Sequence, residues 1–313
     1  MSRGCSYNKK LFLDTQAGSV GLAISQALSL PGRLQWGIRQ WADLESHMTS
    51  VERVLEYTNI EKENRNGRLL ENVSSFKISY KNVHLEYEKS KGHVLKSINF
   101  VIKPGEKVGI VGGTGAGKSS LISILFKLYQ YEGSIIVNDI DIKLISLDSL
   151  RSNIVVISQD PVVFNGTIRS NIDPTGCYTD DEIWTAIDNA NLKHLIPALD
   201  CQIVDKGSNF SCGQKQLICL VRALVSKSRI VVLDEATANV DPETDIIISK
   251  IIKEGFVGCT VLMVAHKLTT ILDFDKVMVI DKGEIVEFDA PDVLVQNENG
   301  VFCKMVAKAG LSR

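Results

Sequence analysis

The chain has 313 residues, which is enough for one large domain or for two. Hydrophobic residues make up 44% and charged residues 23%, as in ordinary globular proteins, and a formal net charge of −2 gives no support for a nucleic-acid partner. The seven cysteines include no Cys-x-x-Cys pair, which favours a reducing compartment over a disulfide framework or a zinc site.

The first apolar segment, residues 17–30 (AGSVGLAISQALSL), carries no formal charge. It is shorter than the roughly 20 residues that a membrane-spanning helix needs. The sequence leaves three interpretations open: a remnant of a membrane helix, an interfacial helix, or a buried core helix. Pro31-Gly32 predicts a break at the end of this segment.

A second helical pattern begins after this break. Its apolar residues recur at steps of three and four, which places them on one face of a helix, and its charged residues lie on the opposite face. We therefore expect this helix to pack on a partner with its charged side in water. The apolar face consists of Leu34, Ile38, Trp41, Leu44, Met48, Val51 and Leu55. The polar, turn-rich stretch 61–68 then predicts a linker and a domain boundary.

Alternating apolar residues predict strands after the linker. Residues 76, 78 and 80 alternate in one phase and residues 83, 85 and 87 in another, which indicates a bulge or turn at Lys81-Asn82. Ile98, Phe100 and Ile102 form a further alternating run. The ring of Tyr87 could stack on a nucleotide base or belong to an ordinary sheet tyrosine, and the spacing leaves both open.

The strongest signal is the stretch 112–119, GGTGAGKS, which fits the phosphate-binding pattern G-x-x-x-x-G-K-[ST]. The apolar run 108–111 before it predicts a buried parallel strand, and residues 120–129 after it contain no helix breaker. The glycines allow backbone N–H groups to surround phosphate oxygens at a helix N-terminus. In this pattern Lys118 reaches the β- and γ-phosphates, and the Ser119 hydroxyl binds Mg²⁺.

Polar residues follow several predicted strands downstream. Strand 154–158 ends at Gln159, which is well placed to contact a ligand, although a loop glutamine is the alternative. Residues 167–225 are predicted to be mainly helical, with a helix start at residues 180–182 and an apolar helix at 217–225. The segment 207–216 before that helix could bind an anion at the helix N-terminus or simply cap it.

Two carboxylates, Asp234 and Glu235, follow the apolar strand 230–233. In phosphate-loop hydrolases an aspartate at this point helps to hold Mg²⁺, and the next carboxylate can polarise the attacking water. Strand-end charges that cap a helix are the alternative. His266 ends a further apolar strand, and residues 276–280 and 284–287 predict a hairpin.

These motifs together resemble the nucleotide-binding domain of ABC transporters. The phosphate loop, Gln159, FSCGQ at 210–214, LDE at 233–235, ANVD at 238–241 and His266 occur in that family's order. The chain looks like subfamily C, the multidrug-resistance-associated proteins, and like the second of their two nucleotide-binding domains. The stretches GSVGLAISQAL, MTSVERVLEY, GSNFSCGQKQL and DEATANVDPETD are most similar to its short members, which export lipids and organic anions.

The resemblance implies an α/β fold: a RecA-like phosphate-loop NTPase core with an antiparallel β subdomain and a helical subdomain. Residues 1–60 would be the C-terminal remnant of a transmembrane domain with its connecting helix, residues 61–75 a linker, and residues 76–313 the nucleotide-binding domain. On this resemblance, most of the membrane domains and the first nucleotide-binding domain would lie outside this sequence. It could be a fragment, a truncated gene model or a reduced paralogue, and alone it is not expected to form a translocation path.

The resemblance also implies roles for individual residues. Glu235, His266 and Gln159 would be catalytic, with His266 on the γ-phosphate, and Asp241 would link the two ATP sites. Ser119, Gln159 and Asp234 would hold Mg²⁺. Ser211, Gly213 and Gln214 would form the signature that closes over ATP held by a partner domain. The remaining ATP contacts would come from Tyr87 at the adenine and from Gly112, Gly113, Thr114, Gly115, Ala116, Gly117, Lys118, Ser119 and Ser120.

The signature departs from the common LSGGQ, because Phe210 and Cys212 replace Leu and Gly. This fits a weakened signature facing the partner's less active site, whereas the retained Glu235 predicts that this half is competent in hydrolysis. The implied function is ATP hydrolysis that drives export of organic anions or xenobiotics. The implied location is the plasma membrane, with the nucleotide-binding domain on the cytoplasmic side. The implied partners are the transmembrane domains and the family's first nucleotide-binding domain, with no nucleic acid.

Two other functions fit part of the pattern. A regulatory ATP-binding module without transport is one alternative, and the retained Glu235 and His266 argue against it. A DNA-repair ATPase with a similar signature is another. Such ATPases carry a long coiled-coil insertion between phosphate loop and signature, and this sequence has too few residues there for one.

Overall fold

The computed structural model describes residues 17–70, 75–87, 92–193, 195–236, 240–265 and 267–311. The chain forms two compact units, one up to Glu63 and one from Asn64 onward. This division falls inside the segment 61–75 that the sequence predicts as a linker. The later part of that segment is nevertheless fixed, because the Arg68 N–H donates to the Leu144 carbonyl (2.8 Å) and the Arg68 carbonyl accepts from the Ser146 N–H (2.9 Å).

The first unit contains one continuous helix, α1 (Ala17–Thr58), with Pro31 inside it. The predicted break at Pro31-Gly32 is therefore wrong. A proline has no N–H to donate, so the Ala27 carbonyl loses its helical partner. This costs about 3 kcal/mol of helix stability and can kink the helix, but it does not have to end it. Strong helix formers such as Ala, Leu, Gln and Arg lie on both sides of Pro31 and continue the helix.

The residues of α1 are all exposed from Gly18 to Thr58, and the three interpretations of residues 17–30 stay predictions. The apolar stripe that begins at Leu34 is also exposed, with Trp41 72% accessible. Within the described residues, no helix combines the length and the apolar character that crossing a membrane requires.

The second unit contains the strands and the remaining helices. In chain order, the described strands are β1 (Ile78–Leu85), β2 (Leu95–Ile102), β3 (Lys107–Gly112), β4 (Glu132–Val137), β5 (Ile140–Asp141), β6 (Ile154–Ile157), β7 (Gly166–Thr167), β8 (Gln202–Ile203), β9 (Ile230–Asp234), β10 (Thr260–Val264), β11 (Lys276–Asp281) and β12 (Glu284–Asp289). The helices after α1 are α2 (Lys118–Leu125), α3 (Leu147–Ser152), α4 (Ile168–Ile172), α5 (Asp180–Asn189), α6 (Cys212–Val225), α7 (Pro242–Glu254), α8 (Leu268–Ile271), α9 (Pro291–Gln296) and α10 (Val301–Lys308).

The central sheet has six strands in the order β12-β11-β3-β10-β9-β6. All neighbours are parallel except the edge strand β12, which forms the predicted hairpin with β11. Both faces of this sheet are covered, since Val231 and Leu233 enter one hydrophobic cluster while Ile230 and Val232 enter another. Burial on both faces explains why β9 and β10 read as continuous apolar runs rather than as alternating ones.

A second, antiparallel sheet has the order β2-β1-β4-β5 and contributes to one of these clusters. The register of β1 against β2 shifts between Tyr80 and Val83, where Asn82 has a φ of 47°. The predicted bulge at Lys81-Asn82 is thus confirmed. It returns Val83 and Leu85 to the buried face, where each is at most 1% exposed.

The described helices α4, α5 and α6 lie between β6 and β9, as expected of a helical subdomain. Helix α5 begins at Asp180 as predicted, because Thr179 and Glu182 form a reciprocal capping box. Helix α2 ends at Leu125 rather than near residue 129. Lys127 takes the left-handed conformation (φ 54°), and the Leu128 N–H donates back to the Ser123 carbonyl, which closes the helix end.

Candidate functional site

A cavity of about 380 Å³ lies at the phosphate loop. It is lined by Val94, Thr114, Gly115, Ala116, Gly117, Lys118, Ser119, Ser120 and Glu235. The structure therefore brings most of the predicted loop together with Glu235, although these residues are distant in sequence. Val94 was not predicted from the sequence. Val94 lies immediately before β2, and tertiary packing rather than a sequence motif brings it to the cavity.

The loop connects the end of β3 at Gly112 to the start of α2 at Lys118. Gly117 has a φ of 105°, in the region that favours glycine, and a Cβ there would lie 2.7 Å from Leu95 Cδ2. A Cβ at Gly112 would lie 2.2 Å from the Ile280 carbonyl oxygen. These glycines let the backbone turn closely beside β2 and β11, and the turn presents the N-terminus of α2 to an anion.

Lys118 is the first residue of α2, and its side chain is only 8% exposed. Its Nζ donates to the carbonyl oxygens of Gly112 (2.9 Å) and Gly113 (3.1 Å). Both acceptors are neutral and belong to the loop itself. The ammonium group thus lies along the loop with its charge not neutralised by these bonds, which suits it to a phosphate ligand.

The carboxyl ends of the central strands meet at the edge that carries this loop. Val264 of β10 lies opposite Ile110 of β3 on one side and Asp234 of β9 on the other. In the same sheet Leu233 lies opposite Ile157, the last residue of β6, which Gln159 closely follows. The predicted Asp234, Glu235 and Gln159 therefore share one edge of the sheet, as expected for a ligand site in an open α/β sheet.

Glu235 has an unusual backbone at this edge. Its φ of 53° is left-handed, and its N–H donates to the Val264 carbonyl at 3.1 Å. A non-glycine residue in this region costs about 1–2 kcal/mol and is found preferentially at functional sites. The chain leaves β9 immediately after Asp234, and Glu235 is among the residues that line the cavity.

The donor set at this edge fits a magnesium ion. Ser119 offers a hydroxyl at the cavity, Asp234 a half-buried carboxylate and Gln159 an exposed amide oxygen. All three are hard oxygen donors, which Mg²⁺ prefers over nitrogen and sulfur. Of the three, Ser119 lines the 380 Å³ cavity, whereas Asp234 and Gln159 lie at the adjoining sheet edge.

Tyr87 lies beyond the end of β1 and is half-buried. Its hydroxyl donates to Ser120 Oγ at 2.9 Å, which ties the ring to the second residue after Lys118. The Tyr129 ring meets the Tyr87 ring edge-on, with centroids 4.7 Å apart. The ring is thus anchored beside the phosphate loop, and its stacking on a base stays a prediction.

The predicted signature residues form the start of α6. Ser211 caps this helix, accepting from the Gln214 N–H (3.2 Å), while the Ser211 N–H donates to Gln214 Oε1 (2.9 Å). A Cβ at Gly213 would approach Thr244 Cγ2 to 3.1 Å, so α6 packs closely on the start of α7. Ser211, Gly213 and Gln214 do not line the phosphate-loop cavity. Their closure over a partner's ATP stays a prediction.

Side chains of α6, the helix that the signature begins, also form hydrogen bonds with the chain that follows β6. The sequence did not predict these bonds. The buried Gln216 donates from Nε2 to the Ser158 carbonyl (3.1 Å), one residue before Gln159. Arg222 donates from Nε to the Asn171 carbonyl (2.7 Å) and from both Nη atoms to Val162. An amide and a guanidinium on an otherwise apolar helix face are the sequence signal that could have indicated these contacts.

His266 lies outside the described residues, as do Ala238 and Asn239 of the 238–241 motif. The neighbours of His266 are described. The Ala265 N–H donates to the Ile110 carbonyl at 3.1 Å, which fixes the chain against β3 just before residue 266. Asp241 caps α7 and accepts from the Thr244 N–H at 2.9 Å, and this bond leads the causes that lower the pKa of its carboxyl.

Comparison with known proteins decides the family. A family model described as ABC transporter matches residues 95–238. The chain is 48% identical to ATP-binding cassette sub-family C member 4 of Mus musculus, over 94% of this chain and 23% of that protein. The chain carries a nucleotide-binding domain of the ABC transporter family, of the subfamily C type. Probable multidrug resistance-associated protein lethal(2)03659 of Drosophila melanogaster is 45% identical, over 96% of this chain and 23% of that protein.

The human sub-family C member 4 is also 48% identical, with the same coverage as the mouse protein. The chain spans 23% of the length of each of these three relatives. The comparisons confirm the predicted family, the phosphate-loop NTPase fold class and an ATP-binding ATPase domain.

Proposed function

We propose that this chain binds ATP with Mg²⁺ at the loop 112–119 and hydrolyses it in a site that a second nucleotide-binding domain completes. The observation that carries the proposal is the single cavity that brings Lys118 and Ser119 together with Glu235. A phosphate chain on the loop would meet the backbone N–H groups, the N-terminus of α2 and the charge of Lys118.

The remaining roles are proposed from the resemblance of the motifs to the family. Ser119, Asp234 and Gln159 would hold Mg²⁺, which would supply positive charge to the phosphates. Glu235 orients and polarises the attacking water, and His266 contacts the γ-phosphate. Tyr87 packs on the adenine ring. Ser211, Gly213 and Gln214 close over ATP held by the partner domain rather than over ATP bound to this chain.

We extend the proposal to the whole protein from its relatives. One of them carries the name multidrug resistance-associated protein, and we propose that ATP turnover here drives export of organic anions or xenobiotics across the plasma membrane. The nucleotide-binding domain would lie on the cytoplasmic side. The exposed apolar stripe of α1 supports a position for this helix against the transmembrane domains. The second nucleotide-binding domain would be the family's first.

The test is Glu235→Gln, which removes the carboxylate and keeps the shape of the side chain. General-base groups contribute about 10²–10⁴-fold to rate, so phosphate release should fall at least a hundredfold while MgATP binding is retained. Size-exclusion chromatography with ATP and the family's first nucleotide-binding domain should show a trapped complex of the two. Glu298→Gln, on an exposed loop, is the matched control and should turn over ATP like the wild type.

Full-rate hydrolysis by Glu235→Gln would show that another residue activates the water. Fast hydrolysis by a dilute wild-type monomer would contradict the shared site. ATP binding without any turnover, even with the partner domain present, would instead favour a regulatory ATP-binding module.

A further inference from the structure

Helix α6 carries a stripe of polar side chains on an otherwise apolar face. Gln216, Cys219 and Arg222 follow one another at steps of three, which places them along one side of the helix. Gln216 Nε2 donates to the Ser158 carbonyl at 3.1 Å. Cys219 Sγ donates to the Val162 carbonyl at 3.8 Å, and both Nη atoms of Arg222 donate to the same carbonyl at 3.3 Å. The polar stripe therefore attaches α6 to the segment 158–162.

This segment is held along its whole length. The polar stripe binds it at both ends, at Ser158 and at Val162. Between the two ends, Ser158 Oγ donates to the Asp160 carbonyl at 2.8 Å and closes a turn. Pro161 fixes its own φ and biases the residue before it away from the helical conformation. Gln159 therefore lies in a short stretch whose two ends and internal turn are all fixed by contacts.

Within the polar stripe, the burial of Gln216 costs stability. The residue is 1% exposed, and its Oε1 is buried without a hydrogen-bond partner among the described residues. A buried polar atom in that state destabilises a fold, whereas an unbranched apolar side chain of similar length would fill the space without the penalty. Ser158 is exposed, so water is available to its carbonyl when the amide is removed. What the amide contributes is therefore the position of Ser158 rather than the stability of the fold.

Ser158 is adjacent to a residue that we propose as a metal ligand. Strand β6 ends beside Leu233 of β9, the residue before Asp234. Ser158 and Gln159 leave the sheet at this point, and the Gln216 amide fixes the first of them. Residues that hold a metal ligand in place determine its geometry, and their loss costs about tenfold to 100-fold in metal affinity.

We propose that Gln216 is a positioning residue that holds Gln159 at the Mg²⁺ site through the Ser158 carbonyl. This inference rests on the proposed function, because it takes the metal contact of Gln159 from there. It adds a residue of α6, beyond the signature itself, to those that determine how this chain binds MgATP. Cys219 and Arg222 support the same segment from its other end.

The test compares ATP affinity in MgCl₂ with ATP affinity in EDTA, in the full chain with Glu235→Gln as the background so that ATP persists. Gln216→Met removes the donor and keeps the length of the side chain. It should weaken ATP binding about tenfold in MgCl₂, the lower end of the effect of a residue that supports a metal ligand, and leave binding in EDTA unchanged. Asn153→Ala is the matched control and should change neither affinity. Its Nδ2 also donates to a carbonyl, that of Ser149 at 2.8 Å, but at the opposite end of β6.

The urea midpoint is the second readout. The midpoint of Gln216→Met should equal or exceed that of the background, because the variant loses an unpaired buried oxygen. A lower midpoint, or failure to fold, would show that the amide mainly stabilises the fold, and would overturn the inference. An equal loss of affinity in MgCl₂ and in EDTA would also overturn it, because the effect would then not depend on the metal.

A Gln159→Ala variant in the same background separates this inference from the proposed function. If Gln159→Ala lowers affinity in MgCl₂, Gln216→Met should add little to it, because both act through the same ligand. A full further loss in the double variant would show that Gln216 acts elsewhere and would overturn the inference. A loss with Gln159→Ala but not with Gln216→Met would overturn the inference alone. No effect of either variant would overturn it together with the proposed metal role of Gln159, while the Glu235→Gln result would still stand.

Discussion

Replacing Lys118 by alanine tests the phosphate site most directly. Lys118 is 8% exposed and its ammonium group bonds to two loop carbonyls at 2.9 and 3.1 Å, so it is already held beside the place where phosphates would bind. A hydrogen bond to a charged group contributes about 1.5–3 kcal/mol, and a single lost contact would weaken ATP binding about tenfold to 150-fold. A cation that contacts both the β- and γ-phosphates makes at least two such contacts. We therefore expect ATP binding or turnover to be abolished in practice.

The fold should survive this change, because the carbonyls of Gly112 and Gly113 belong to a loop that solvent reaches. The assay is nucleotide titration by calorimetry, with circular dichroism as the check on folding. Lys304→Ala is the matched control, since its Nζ also donates to a carbonyl, that of Asn299 at 2.9 Å, but on α10. Unchanged affinity and unchanged turnover in folded Lys118→Ala would refute the assignment of the loop.

Two further predictions concern the adenine and the helical subdomain. Tyr87→Ala should weaken ATP binding several-fold and Tyr87→Trp should preserve it, since base stacking contributes about 1–3 kcal/mol. If nucleotide titration finds wild-type affinity in the alanine variant, Tyr87 has only a structural role. Burial raises the pKa of Asp173, but hydrogen bonds from the Tyr178 N–H and the Thr175 hydroxyl, with others from Cys177 and Gly176, outweigh it and hold the pKa below its usual value. A depressed pKa means stability that is present at neutral pH and lost as pH falls through the folded pKa. Asp173→Asn should therefore lower the urea midpoint at pH 7, and its difference from wild type should shrink below about pH 4, near the ordinary aspartate pKa; a difference independent of pH would contradict this.

Much of the site could be predicted because its chemistry depends on short local patterns. The phosphate loop needs glycine where a side chain would collide, as at Gly112 and Gly117, and the two carboxylates must follow a buried strand. Alternation also predicted the bulge in β1, because a two-residue period reports which face is buried. These features follow from sequence neighbours alone.

Other features depend on contacts that a local pattern does not contain. Helix α2 ends at a left-handed Lys127, where glycine would have signalled the end. Pro31 lies inside α1 because helix formers on both sides outweigh one lost bond. Helix α6 begins at Cys212 rather than at Leu217, and here the Ser211-x-x-Gln214 capping box was a signal that apolar periodicity overlooks. The hydrogen bond from Gln216 to the Ser158 carbonyl joins residues that no periodicity relates.

The left-handed backbone of Glu235 places the stability of the fold and the proposed ATP hydrolysis in conflict at one position. Glycine or asparagine would adopt a φ of 53° with less strain, so greater stability favours the very substitutions that remove the proposed catalytic carboxylate. Directed evolution that selects only for thermal stability would therefore favour glycine or asparagine at residue 235. The selected domain would be more stable but would lack the carboxylate proposed for ATP hydrolysis.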